Sequence, residues 1–299
     1  MRRLLHSQAL WGYVFIGPAV LGLLAFVVLP VLFSLILSFT NWDGSASISF
    51  VGFDNFVKLF EDEVYLKAMR TTAIYALIAV PLTVAASIVV AALLDQRIAG
   101  RNVYRTIFFI PSITMPIAIA VVWKWLYNSS TGLINFLLGM VGIDGPSWLT
   151  DPNVILWSVI IISVWAGIGS NMVILLAGLQ GISESYYEAA KIDGASVIRR
   201  FLNITVPMLT PTIFFVTVTS FISSFQVFDL VYIFASSSSS GGGGVLLEAT
   251  RTAVYSIYQN GFQFFKIGYA SAQAWVLFLV ILLITLVQLR LQKRWVHYE

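Results

Sequence analysis

Apolar and polar positions alternate along this chain on the scale of whole helices, not of single residues. Six long apolar runs stand out: Leu10–Phe39, Thr71–Leu94, Thr106–Trp123, Val154–Leu179, Ile204–Ala235 and Ile267–Leu289. Five contain no Asp, Glu, Lys or Arg, and the other contains only Asp229. A helix crossing the hydrocarbon of a bilayer needs roughly 20 predominantly apolar residues. The pattern therefore predicts an all-α integral membrane fold, with six transmembrane helices in one domain over residues 1–299. The first run exceeds the apolar core of a cleavable signal, about 7–15 residues, and no small-residue cleavage site follows it at the usual distance. It reads as a retained span, with Pro18 marking a bend and Pro30 an end.

The polar links between runs differ in character. Asn41 to Met69 carries the acidic triplet Glu61-Asp62-Glu63 and reads as a solvated surface helix. Asp95–Arg105 holds three arginines and Gly100, and Asn128–Pro152 is rich in Gly, Pro and Asp. Gly181–Asn203 is the longest link on its side. Ser236–Ser240 followed by Gly241–Gly244 has the composition of flexible coil.

Composition agrees with a membrane setting. The 299 residues are 59% hydrophobic and only 10% charged, with mean hydropathy +0.88, whereas soluble domains carry about 25% charged residues. With six spans both termini share a side. Eleven Lys and Arg fall on the terminal side (Arg2, Arg3, Arg97, Arg101, Arg105, Lys191, Arg199, Arg200, Arg290, Lys293, Arg294) and six on the other (Lys58, Lys67, Arg70, Lys124, Arg251, Lys266). The excess places both termini in the cytoplasm. These loop residues account for the net charge of +3, so the basic balance gives little support to a nucleic-acid reading. There is no cysteine, which removes disulfides and thiolate ligands together. Trp123, Trp125 and Tyr127 gather at one span end and Trp295 and Tyr298 at another, where aromatic rings favour the headgroup level.

The link after the fourth run carries the most informative pattern: Glu188-Ala189-Ala190-Lys191-Ile192-Asp193-Gly194-Ala195, continuing to Ile204-Thr205-Val206-Pro207. Ser185-x-x-Glu188 has capping-box spacing and predicts the start of a short helix at the membrane surface. Ala189 and Ala190 let another protein approach the backbone closely. Gly194 permits a turn other residues resist, and Pro207 suits the first turn of the next helix. Taken singly, Glu188 and Gly194 would read as a cap and a turn.

In this register the segment resembles the EAA signature of binding-protein-dependent ABC importer permeases, with Val206 in place of the usual Leu. Val51–Phe56, Tyr104–Pro111, Ile174–Gln180 and Gly268–Ala272 resemble segments of the sugar-type branch, so the similarity runs over nearly the whole chain. It departs after Ala235, where the Ser/Gly tract replaces a Thr shortly before Gly-Gly-Pro. The resemblance implies a type I importer fold in a bacterial plasma membrane. It also implies a coupling helix presenting Glu188, Ala189, Ala190, Asp193 and Gly194 to an ATPase. The implied partners are a second, non-identical permease, two ATPase subunits and an extracytoplasmic solute-binding protein.

None of the six lysines follows a glycine, so a Walker A loop is impossible. The chain is expected to bind no cofactor and to be no enzyme, with ATP and Mg used by the partner ATPase. Polar residues within spans are costly unless they face a cavity or a neighbour. Runs three to five supply Ser112, Thr114, Ser163, Ser170, Asn171, Ser220, Ser223, Ser224, Gln226 and Asp229, beside the rings of Trp165, Phe221, Phe225 and Phe228. Hydroxyls, amides and rings together suit a sugar. Similarity to the maltose-type permease implies substrate contacts at Ser112, Pro116, Ser163, Ala166, Gly167, Ser220, Ser224 and Val227, to which the polar residues Gln226 and Asp229 are added. A lone Ser or Thr reads equally as bonding its own helix carbonyl, and Asp229 as either a pathway or a structural carboxylate.

The expected solute is a di- or oligosaccharide, the alternative being glycerol phosphate or a glycerophosphodiester. A membrane-embedded enzyme would need catalytic groups in the spans, yet the two histidines, His6 and His297, lie at the chain ends. An ion-coupled carrier would show intramembrane carboxylates or inverted repeats, and the spans hold one Asp and no visible repeat.

Overall fold

A computed structural model describes residues 8–45, 47–96, 98–236 and 248–296. Most of the Ser/Gly tract, from 237 onward, lies outside them. The fold is all-α; among the described residues the sole extended pairing is an isolated antiparallel bridge, Thr40 with Phe50.

The first run forms α1 (Gln8–Leu23) and α2 (Leu29–Leu37) around a wide π turn at Leu24–Val28. Pro30 does not end this span. The Leu29 N–H bonds back five residues to the Leu24 carbonyl, and this shift in the ladder just ahead of Pro30 carries the helix past the ring. After α3 (Asp54–Glu61) comes α4 (Glu63–Asp95), which starts well before Thr71. The acidic triplet is no continuous surface helix: Asp62 is extended and separates α3 from α4.

The third run was expected to be one helix, Thr106–Trp123. It is two, α5 (Arg101–Ile113) and α6 (Pro116–Leu126), bent by 100°. Pro116 lacks an N–H and its ring pushes the preceding residue out of helical geometry; Met115 has φ −55° and ψ 128°. Next come α7 (Leu133–Met140), α8 (Ile155–Gln180), α9 (Glu184–Ile192) and α10 (Val197–Arg200). A second π turn, Phe201–Thr205, leads through α11 (Val206–Met208) into α12 (Thr210–Phe225) and α13 (Asp229–Ser236). The fifth run is thus also interrupted, at 226–228. No proline lies there, but the Thr252 hydroxyl donates to the Val227 carbonyl at 3.0 Å, satisfying an acceptor that the break frees. The chain closes with α14 (Ala253–Tyr258), a π turn at Gln259–Gln263 and α15 (Ile267–Trp295). Among the described residues five helical stretches are long and apolar enough to cross a membrane, and the α5–α6 pair makes a sixth if it counts as one span.

The described residues gather into two compact units. In one, residues up to 63 with 257–276, the end of α2 meets the start of α15. Buried Asn55 donates from Nδ2 to the carbonyls of Ser38 and Thr40, both at 2.9 Å. Gly268 lies so close to the Thr40 carbonyl that a Cβ would collide with it. In the other, residues 64–256 with 277–299, one core joins Tyr75, Ala79, Ile119, Ala120, Val159, Ile162, Leu230 and Phe234 from α4, α6, α8 and α13. A second joins Val80, Val84, Met172, Leu175 and Val216 from α4, α8 and α12 with Leu209, the residue just ahead of α12.

Candidate functional site

Helix α8 organises the second unit. At Gly169 the backbone of α5 comes in so closely that a Cβ would meet the Phe108 carbonyl, the Phe109 Cα at 2.8 Å and the Ser112 Oγ at 2.9 Å. Small residues permit such backbone approach between membrane helices. Gly167, on the adjoining turn, sits against the Thr83 methyl of α4, 2.9 Å from an added Cβ. These contacts fix α4, α5 and α8 around a concavity that the α5–α6 bend and the α12–α13 break complete.

That cavity measures about 560 Å³. All ten residues expected to form a solute pathway line it: Ser112, Pro116, Ser163, Ala166, Gly167, Ser220, Ser224, Gln226, Val227 and Asp229. Thr114, Ser170, Asn171 and Ser223 do so too. Among the described lining residues Asp229 carries the only charge, at the first position of α13 where a carboxylate complements the helix dipole.

Several hydroxyls spend their proton on their own helix. Ser112 donates to the Phe109 carbonyl at 2.8 Å, Ser163 to Val159 at 2.8 Å and Thr114 to Ile110 at 2.8 Å. Their oxygen lone pairs stay available as acceptors. The Asn171 amide donates to the Ser220 Oγ at 3.1 Å, linking α8 to α12 across the lining.

The pathway residues expected from the sequence include none from α4, which contributes Tyr75 and Thr83 to the lining. The signal was present: Thr72, Tyr75, Thr83 and Ser87 recur at helical spacing in an otherwise apolar run, and all four are buried. Of the four rings expected beside the pathway, only Phe228 lines the cavity. Trp165 packs edge-on against Trp123 at 5.4 Å, Phe225 is buried and Phe221 packs on the second core. Their size recruits them to packing.

The second predicted feature is α9. Its N-cap is Ser183, not Ser185, and no side chain caps the helix; the Ser183 and Ser185 hydroxyls bond each other at 2.8 Å instead. The capping box does not form because the helix starts two residues earlier. The other end follows the expected turn. Gly194 has φ +73°, its N–H bonds the Lys191 carbonyl at 3.1 Å, and the Ala195 N–H bonds that of Ala190 at 2.9 Å. This is a Schellman stop, which requires a left-handed residue. The Tyr187 and Thr205 hydroxyls lie 3.1 Å apart, tying α9 to the π turn that opens the fifth run. Glu188, Ala189, Asp193 and Gly194 are exposed and Ala190 is half-buried.

Residues 87–297 match the profile of a family described as binding-protein-dependent transport system inner membrane component. The chain is 42% identical to the probable ABC transporter permease protein YesP of Bacillus subtilis, over 99% of this chain and 95% of that one. It is 34% identical to the lactose transport system permease protein LacF of Rhizobium radiobacter, covering 93% and 92%. It is 33% identical to the sn-glycerol-3-phosphate transport system permease protein UgpA of Pectobacterium atrosepticum, covering 96% and 95%. Among solved structures, a chain of a bacterial alginate ABC transporter in complex with its pentasaccharide-bound periplasmic protein superposes with a TM-score of 0.81 over 94% of this chain, at 22% identity. That likeness is one of fold.

Proposed function

Because the chain belongs to the family of binding-protein-dependent transport system inner membrane components, we propose that it forms half of the pathway of an ATP-driven carbohydrate importer. The single observation that carries this reading is the cavity where the α5–α6 bend and the α12–α13 break meet α8. It gathers hydroxyl and amide groups with no cation among its described lining residues. Serine and threonine oxygens left as acceptors, with the Asn171 and Gln226 amides, suit the hydroxyl edges of a neutral sugar. Phe228 offers a ring face for its C–H surface.

In this reading the second half of the pathway comes from another, non-identical permease. ATP and Mg are used by two separate ATPase subunits, which grip α9 through Glu188, Ala189, Ala190, Asp193 and Gly194. An extracytoplasmic binding protein delivers the solute, and both termini lie in the cytoplasm, as the Lys and Arg distribution favours. A helix held by the Tyr187–Thr205 contact at one side and a fixed Schellman turn at the other can pass a motor's movement to the fifth run as a lever.

The test is reconstitution with the partner subunits in vesicles. ATP hydrolysis that rises only with solute-loaded binding protein, together with uptake of a di- or oligosaccharide, supports the reading. Similarity to the glycerol-3-phosphate permease motivates a second arm. Uptake of glycerol 3-phosphate and not of sugars would transfer the assignment to that solute, and solute-independent hydrolysis without uptake would overturn the importer assignment.

A further inference from the structure

Helix α3, Asp54–Glu61, shows three faces. Asn55 and Leu59 are buried against the first unit. Asp54, Lys58 and Glu61 form a charged face. The third face is apolar and uncovered: Phe53 is 69% exposed, Val57 56% and Phe60 67%. Their spacing of four and three residues puts them on one stripe.

The height of this stripe relative to the first span is fixed. Asn55 anchors α3 to the carbonyls of Ser38 and Thr40, at the end of the first span. The Thr40–Phe50 bridge holds the connecting loop at the same level, with Phe50 80% exposed. The last span begins there too, since the Gly268 N–H bonds the Trp42 carbonyl at 3.0 Å. Just before it, Phe262, Phe264 and Phe265 are exposed.

We propose that α3 is an interfacial anchor: it lies in the plane of the leaflet where the first span ends, with Phe53, Val57 and Phe60 sunk at the headgroup–acyl boundary. Amphipathic helices bind there with the apolar face buried roughly 5–10 Å. The charged face, turned about a quarter-circle from the apolar stripe, meets water. Lipid is the occupant that the observations favour, because Asn55 holds the stripe at the level where the first span ends, and that span is itself exposed along nearly all of its length. A water-soluble partner that comes and goes would leave these rings in water whenever it departed. This inference needs only that the chain spans a membrane, so it stands apart from the identity of the solute.

The chain has no cysteine, which suits single-cysteine spin labelling. Labels at 53, 57 and 60, and at 54, 58 and 61, are placed one at a time in the full transporter with cysteine-free partners. The complexes are reconstituted in phosphatidylethanolamine–phosphatidylglycerol vesicles. The expected result is that labels on the apolar stripe favour collision with oxygen over a water-soluble nickel chelate by about threefold more than those on the charged face, at shallow depth. Equal access of the chelate to both sets overturns the proposal. So does shielding of the stripe from both reagents, which would mark a protein cover such as the second permease. Immobilisation of the stripe labels only on addition of binding protein would assign the face to that partner and equally overturn it.

Discussion

Asn171 Nδ2 and Ser220 Oγ lie 3.1 Å apart, the hydrogen bond that joins α8 to α12 in the cavity lining. Side-chain hydrogen bonds between membrane helices contribute about 0.6 kcal/mol on average and up to ~1.7 kcal/mol. Ser220→Ala removes the acceptor and leaves the buried Asn171 amide with a donor to satisfy. It is expected to lower the thermal stability of the detergent-purified complex by an amount in that range. A double-mutant cycle with Asn171→Ala checks it: the two effects are expected to be less than additive. Full additivity would show that the pair does not interact.

The cavity gives a steric prediction. Ser224 lines the roughly 560 Å³ space beside Val227 and Gln226. Ser224→Trp is expected to fill much of it and abolish solute uptake while the subunit still purifies with its partners. Uptake at the normal rate would remove Ser224 from the pathway.

How much of this was legible from sequence depends on where each determinant lies. Helix α8, Ile155–Gln180, starts and ends within one residue of the apolar run Val154–Leu179, because a helix that crosses hydrocarbon must be apolar on every face along its length. Six of the ten cavity residues, Ser112, Ser163, Ser220, Ser224, Gln226 and Asp229, stand out because polar groups in apolar runs are few and expensive, whereas Pro116, Ala166, Gly167 and Val227 follow only from the resemblance to the maltose-type permease. The α5–α6 bend had a local signal in Met115-Pro116, yet the apolar run continues through it and hides the break. The α12–α13 break had none. What accompanies it is the Thr252 hydroxyl on the Val227 carbonyl, a contact between residues 25 apart that no local pattern reveals. Taken alone, Thr83 carries no distinguishing signal, because an isolated threonine hydroxyl in a span reads equally as bonding its own helix. Thr83 does so, to Ala79 at 2.7 Å, and lines the cavity as well.

Gly169 tests the packing of the second unit. Any side chain there meets the Phe108 carbonyl and Phe109 backbone, which cannot rotate away. Overpacking costs typically about 1–3 kcal/mol and sometimes more, so Gly169→Leu is expected to reduce the yield of folded complex sharply. Gly139→Leu, in α7 with open space around the position, is expected to leave it near the parent level. Comparing both by size-exclusion chromatography of solubilised membranes separates close packing from a general intolerance of bulk.

Gly194 separates backbone from side-chain requirements in the proposed coupling helix. Its φ of +73° lies in the left-handed region, yet nothing stands within 4 Å of an added Cβ. Space is not the constraint; conformation is. A β-branched residue is a genuine outlier at such a φ, whereas asparagine is several-fold enriched there. Gly194→Val is therefore expected to cost about 1–2 kcal/mol locally and to unravel the Schellman stop, freeing the Lys191 and Ala190 carbonyls. The subunit should still insert and assemble, because α9 is peripheral and exposed, but solute-dependent ATP hydrolysis and uptake should fall together. Gly194→Asn, which tolerates the turn, should keep most of both. Equal activity in the two variants would mean that the turn does not transmit the motor's movement. Equal loss would mean that the partner reads the absence of a side chain at 194, not the shape of the chain.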